Sequence, residues 1–223
     1  MKYVVFVILA LFYQISISWA SNPVSIYGRS VEFDVLREGD VVGEHVTAFD
    51  MEDDVLMVRS KMNIDIFLLF IPVYGFDYRA DEKWQDGRMV ALNVNVVDGP
   101  DKFTLRADRE NGDLVVHNKG QMLTVQGDIF STNHWNMNVV EDSRVLNTLT
   151  GNLNEVTITP MGEEKVDVVG GTVMASRFDY SGDLKDTSVW YDDQGRWVKL
   201  QFKARDGSDI IYRCRTCLSG QKS

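Results

Sequence analysis

The chain has 223 residues, 33 acidic against 23 basic, a formal charge of −10, and 11% aromatic side chains. An acidic surface repels phosphate backbones and anionic headgroups, which argues against nucleic acid and peripheral membranes as partners. Three scattered histidines and two late cysteines offer no ligand spacing for zinc, and no cofactor is expected; the absence of a G-x-x-x-x-G-K-[ST] loop, H-E-x-x-H pair or G-x-S-x-G elbow argues against the enzymes those motifs mark.

The first residues read as an export signal. Lys2 precedes an apolar run from Tyr3 to about Ile15, and Ser18-Trp19-Ala20 places small residues at the positions a signal peptidase reads. The run is shorter than the ~20 residues of a spanning helix. Residues 1–20 are therefore expected to be cleaved after Ala20. That leaves residues 21–223 as one β-rich domain, periplasmic or secreted, with no stable membrane anchor.

Beyond Val31 the pattern alternates with period two and is punctuated by turns, the signature of short antiparallel strands. Val31, Phe33 and Val35 share a face, Glu38-Gly39-Asp40 turns, and Val41 to Phe49 returns in a register that stays open because both faces carry apolar residues. A short strand from Val55 to Arg59 follows. Ile64 to Tyr74 is the most hydrophobic mature segment; it reads as a doubly buried strand, the alternative being an apolar lip at a cavity mouth. Gln85-Asp86-Gly87 reads as a three-residue hairpin loop, which would set Phe76, Tyr78 and Ala80 against Val96, Val94 and Leu92. Its Trp84 to Arg88 sequence is echoed by Tyr191 to Arg196. Strands are expected at Lys102–Ala107, at Asp113–His117 after the Asn111-Gly112 turn, and at Met122–Gly127. The alternation breaks from Asp128 to Val140, where Ser131, Thr132 or Asn133 would cap a short helix carrying Trp135. It resumes at Glu155–Thr159, Glu164–Val169 and Thr172–Tyr180. The sum is an all-β protein. It predicts a single antiparallel, strongly curved sheet or half-barrel of about ten to twelve strands with one short helical insert.

The chain closes on a meander from Ser188 to Cys217. A four-residue loop, Asp192 to Gly195, would oppose Val189 to Val198 on one face and Trp190 to Trp197 on the other. A three-residue loop, Asp206 to Ser208, would oppose Phe202 to Tyr212 and Leu200 to Cys214. In an exported protein Cys214 and Cys217 are expected to form a small structural disulfide; they would lie ~10 Å apart in one extended strand, so the chain must turn at Arg215-Thr216 for the bridge to close.

Gly39, Val42-Gly43-Glu44-His45, the Trp84 to Arg88 turn, His134-Trp135-Asn136, Leu149-Thr150-Gly151, Trp190-Tyr191-Asp192 through Gly195-Arg196, and Asp206-Gly207 occur in order along the chain. Together they resemble exported bacterial domains of unknown function of the DUF6134 and DUF3108 type. The architecture is distantly similar to the half-barrel carriers that shuttle lipoproteins across the bacterial envelope. The resemblance implies a periplasmic β-rich domain and carries over no catalytic residue. The positive signal is aromatic: Trp190, Trp197, Tyr191 and Trp135, with His134 beside the last, are the candidate ligand-binding residues. They suggest a non-catalytic binding or carrier domain for an apolar or amphipathic small molecule. An envelope assembly module that binds another protein through its sheet is the alternative, and a hydrolase centred on His134 the third reading.

Overall fold

The computed structural model describes residues 23–68 and 70–218, so the expected signal peptide lies outside the described residues. A single turn of helix, α1 (Pro23–Tyr27), precedes β1 (Ser30–Arg37), β2 (Asp40–Glu52), β3 (Val55–Leu68), β4 (Ile71–Gln85), β5 (Arg88–Asp98), β6 (Asp101–Glu110), β7 (Asp113–Asn118) and β8 (Gln121–Val125). The second half holds β9 (Phe130–Ser131), a 3-10 turn at Met137–Glu141, β10 (Arg144–Leu146), β11 (Leu153–Val168), β12 (Gly171–Gly182), β13 (Thr187–Tyr191), β14 (Trp197–Lys203) and β15 (Asp209–Cys214).

The described strands form one sheet, in the order β8-β7-β6-β5-β4-β3-β2-β1-β15-β14-β13-β12-β11-β10-β9. Neighbours are antiparallel except the β9–β10 pair. The order dictates the shape. β8 and β9 stand at opposite ends of the sheet, yet only residues 126–129 separate them, a span of at most about 18 Å. The sheet therefore curls until its edges meet. Side chains stitch this seam: Asn118 Nδ2 donates to the Thr150 carbonyl at 2.6 Å, and Arg88 pairs with Asp128 at 2.6 Å. Gly151 sits at the seam with φ +73, and a Cβ there would collide with the Asn118 side chain.

Fifteen strands exceed the ten to twelve expected, in part because the segment of broken alternation itself supplies β9 and β10. Its helix is the 3-10 turn capped by Asn136, whose side chain accepts from the Asn138 N–H; Ser131, Thr132 and Asn133 do not cap it, and Trp135 lies before it. The runs Glu155–Thr159 and Glu164–Val169 are one strand, β11, bent by a register shift between Pro160 and Gly162.

Ile64 to Tyr74 is not a core strand. β2 pairs with β3 only as far as Ile64, and β5 reaches β4 only from Phe76. Between these points the described residues pair across their own hairpin, tied back at its base by the Gly99 N–H to the Gly75 carbonyl and by Tyr74 to Asp98, and the tip overhangs the sheet. Phe67, Ile71 and Val73 are exposed there, and Phe70 is 97% exposed.

The faces of the hairpins follow the alternation, but their pairings differ from the expected ones. Asp86 and Gly87, both at positive φ, make a two-residue turn, and a bulge beside Trp84 restores the parity. Tyr78 thus faces Val96, and Ala80 faces Val94, two residues from the expected partners. Phe202 likewise pairs with Ile210 and Leu200 with Tyr212. The Trp190–Trp197 pair does not exist. A bulge between Trp190 and Tyr191 sets Tyr191 against Trp197 and Trp190 against Lys199, which places the two indoles on opposite faces. The Cys214–Cys217 disulfide is present, with Cα atoms 5.8 Å apart and the chain turning at Arg215-Thr216.

Candidate functional site

The inner row of β4 reads Tyr78, Ala80, Glu82, Trp84, all buried. Glu82 is thus a carboxylate in a row of apolar positions, where an unpaired charge would be prohibitive. Four donors satisfy it. Ser131 Oγ (2.6 Å) and Asn133 Nδ2 (2.7 Å) donate to Oε1, and the indole N–H groups of Trp84 (2.7 Å) and Trp135 (3.0 Å) donate to Oε2. Three of those donors, Ser131, Asn133 and Trp135, belong to the segment that runs from β9 toward the 3-10 turn. Glu82 therefore fastens this segment to β4 inside the curl.

Two tyrosines hold the same segment by its backbone. Tyr191 donates to the His134 carbonyl at 2.9 Å, and Tyr27 donates to the Trp135 carbonyl at 2.7 Å while accepting the Trp197 N–H. Edge-on contacts of Trp135 with Trp84 and Phe49 pack its flanks. The His134 ring is left pointing to a cavity.

That cavity has a volume of about 140 Å³ and is walled by His45, Met62, Tyr78, His134, Trp197, Leu200, Phe202 and Tyr212, with Thr132, Asn133, Asn147 and Thr148 along its polar side. Among the described residues, no Asp, Glu, Lys or Arg lines it. Both histidines are neutral. Burial pushes His45 down to about 3, helped by its proximity to His134, and pushes His134 down to about 4. His45 Nε2 lies 3.1 Å from Thr47 Oγ1, which is 2.9 Å from Ser60 Oγ, while its Nδ1 is enclosed without a partner. His134 Nδ1 lies 3.3 Å from the Tyr180 hydroxyl. Among the described residues, no carboxylate orients either ring by hydrogen bond and no three metal-ligating side chains form a group.

Of the five residues singled out by sequence, Trp197 and His134 wall the cavity. Tyr191 and Trp135 lie behind that wall and position it. Trp190 is elsewhere, on the outer face, roofed by Lys199 and Arg177 at 4.2 and 5.3 Å from its ring, with its indole N–H donated to Glu164. Sequence reasoning missed His45, Tyr78, Tyr212 and Glu82. The signal for Glu82 was available, because a charge two positions after Ala80 and four after Tyr78 falls on their face of the strand. A second depression, of about 430 Å³, lies among exposed Asn93, Asn95, Thr104, Arg106 and His117 on the outer surface.

Residues 33–215 match the family described as Domain of unknown function (DUF6134). The chain belongs to this family. No curated protein matches it. The DUF6134 fold is similar to a crystal structure of a β-barrel-like protein of the domain of unknown function DUF1849 from Brucella abortus, with a TM-score of 0.54 at 13% identity over 83% of this chain and 94% of that one. The likeness is one of fold: a curled, barrel-like sheet.

Proposed function

We propose that this DUF6134 protein is a non-catalytic binding domain, exported to the periplasm or secreted, that seats the apolar end of an apolar or amphipathic small molecule in the cavity. One observation supports this above the rest: an uncharged, largely apolar cavity of about 140 Å³ bounded by Trp197 and Tyr212. A cavity of about 150 Å³ holds a benzene-sized guest. A ring or short branched chain fits, and the remainder of a longer ligand would extend from the mouth. The hydrolase reading has no such support, since His134 meets a tyrosine rather than an acid. Native mass spectrometry of protein recovered from the envelope fraction tests the reading, together with titration of benzene-sized ligands followed by indole fluorescence. A co-purifying small-molecule mass or a saturable titration is expected. A bare protein mass with no saturable response sinks it.

The overhanging β3–β4 hairpin favours the second reading, an envelope module that binds a protein. Phe67, Phe70 and Ile71 there are apolar and exposed, as contact residues are. A stoichiometric protein partner that survives purification with the wild type and is lost with Phe70→Ser would favour this reading over the first.

A further inference from the structure

Most polar side chains around the cavity are already engaged. Tyr78 donates to Asn133 Oδ1 at 2.8 Å, Thr132 and Thr148 share a hydrogen bond at 3.1 Å, and Asn147 Oδ1 accepts from two backbone N–H groups. Asn147 Nδ2 and the Thr187 hydroxyl lack partners among the described residues but sit on half-buried residues of the lining, whereas His134 is buried. Its Nδ1 is occupied by Tyr180, whereas Nε2 has no partner among the described residues and is not one of the enclosed, partnerless atoms. Nε2 therefore opens on the space that His134 borders, which is the cavity.

Which form Nε2 presents follows from counting donors. Tyr180 is buried, and the His134 ring is the one hydrogen-bond contact of its hydroxyl among the described residues. If the phenol donates to Nδ1, the imidazole proton sits on Nε2, and a single N–H awaits a partner. In the reverse arrangement Nδ1–H donates to the phenol oxygen. The phenolic proton then has no acceptor and Nε2 shows a bare lone pair, so two groups go unmet. A buried donor without an acceptor is the costlier outcome. Burial also raises the Tyr180 pKa, which keeps the phenol protonated and able to donate.

Resting on the cavity being a binding site, we propose that its ligand is a neutral molecule bearing an acceptor oxygen, of the ketone, ester or ether class, received by the Nε2–H of His134. Tyr180 is the positioning residue that fixes the tautomer. With no cationic side chain among the described lining residues, a carboxylate or phosphate entering the cavity would be an unpaired buried charge, which argues against either as the group that enters.

Cyclohexanone and methylenecyclohexane are matched probes, since they differ in the presence of the acceptor oxygen. In the wild type, nitrogen-resolved NMR of the imidazoles is expected to show His134 protonated at Nε2, with that resonance moving on addition of cyclohexanone. His134→Phe is expected to weaken cyclohexanone about 3–10-fold, one hydrogen bond's worth, and to leave methylenecyclohexane unchanged. Tyr180→Phe, which frees the proton to move to Nδ1, is expected to weaken cyclohexanone while also sparing the hydrocarbon. A His134 protonated at Nδ1, an Nε2 signal indifferent to the ketone, or equal losses for both probes would overturn the acceptor assignment and leave the binding site standing. If neither probe binds the wild type, the binding reading falls with it. The wild-type spectra decide the matter even if His134→Phe fails to fold.

Discussion

Glu82 and the two cavity histidines are polar groups in apolar company, but the fold treats them differently. Glu82 accepts four hydrogen bonds from neutral donors. In Glu82→Gln an amide N–H₂ must replace one oxygen and face two donors. That loses two bonds and opposes like dipoles, for an expected cost of about 2–4 kcal/mol in a urea unfolding curve. Cavity binding should fall with it, because the segment carrying His134 loses its fastening. The histidines make stability depend on pH. The unfolded chain protonates near pH 6.5, whereas folded His134 and His45 hold out to about 4 and about 3. Their contribution is complete above pH 6.5. It drops as pH falls below that value, by up to about 1.4 kcal/mol per pH unit for each histidine, and levels off below each folded value. Urea midpoints taken between pH 7 and pH 4.5 should show this slope, and His45→Phe/His134→Phe should lack most of it. Sequence alone placed His134 at a site through its irregular surroundings, since loops hold sites more often than strands. His45 was passed over because a histidine in a regular strand looks the same whether it faces a cavity or a packed wall.

Among the elements, the alternation revealed the buried face of strands such as β1 and β5, and turn residues such as Asp86-Gly87 and Asn111-Gly112 revealed where some strands end, while the ends of β3, β4 and β11 went unread. Pairing was harder to read. A bulge adds one residue to a strand and leaves no mark in composition, so Trp190 and Trp197 are partners on paper and on opposite faces in the molecule. The β3–β4 hairpin escaped for a related reason: hydrophobicity suggests burial, but burial requires neighbouring strands that reach as far. Two variants measure the difference. Phe70→Ser should alter the urea midpoint by less than about 0.5 kcal/mol, as for an exposed site, whereas Leu92→Ala in the buried row of β5 should cost about 2–5 kcal/mol. Breaking the Cys214–Cys217 bridge with Cys214→Ser/Cys217→Ser should cost about 2 kcal/mol or less, because so short a loop restrains the unfolded chain little. A larger loss would assign the bridge a packing role beside Trp197.

For the molecule as a whole, the curl rests on a seam that lacks backbone pairing between β8 and β9. Gly151→Ala places a methyl group against Asn118 at a backbone angle that alanine resists, so it should loosen the seam for about 1–3 kcal/mol. Hydrogen exchange should then quicken in β8, β9 and β10 and stay slow in β1 and β15, which are flanked on both sides. The β1–β15 pairing also has a topological consequence. The first and last strands are adjacent in the middle of the sheet, with Phe33 opposite Cys214 and Arg37 opposite Ile210. Read from β9 through β15 and on from β1 to β8, the sheet is a plain succession of neighbours. The native chain is a circular permutation of that simple order, cut between β15 and β1 and rejoined across residues 126–129. A permutant that links residue 218 to residue 23 and opens at residues 126–129 should keep every strand pair. What it gives up is the covalent tie across the seam, so its barrel would be free to gape where the native one is tethered.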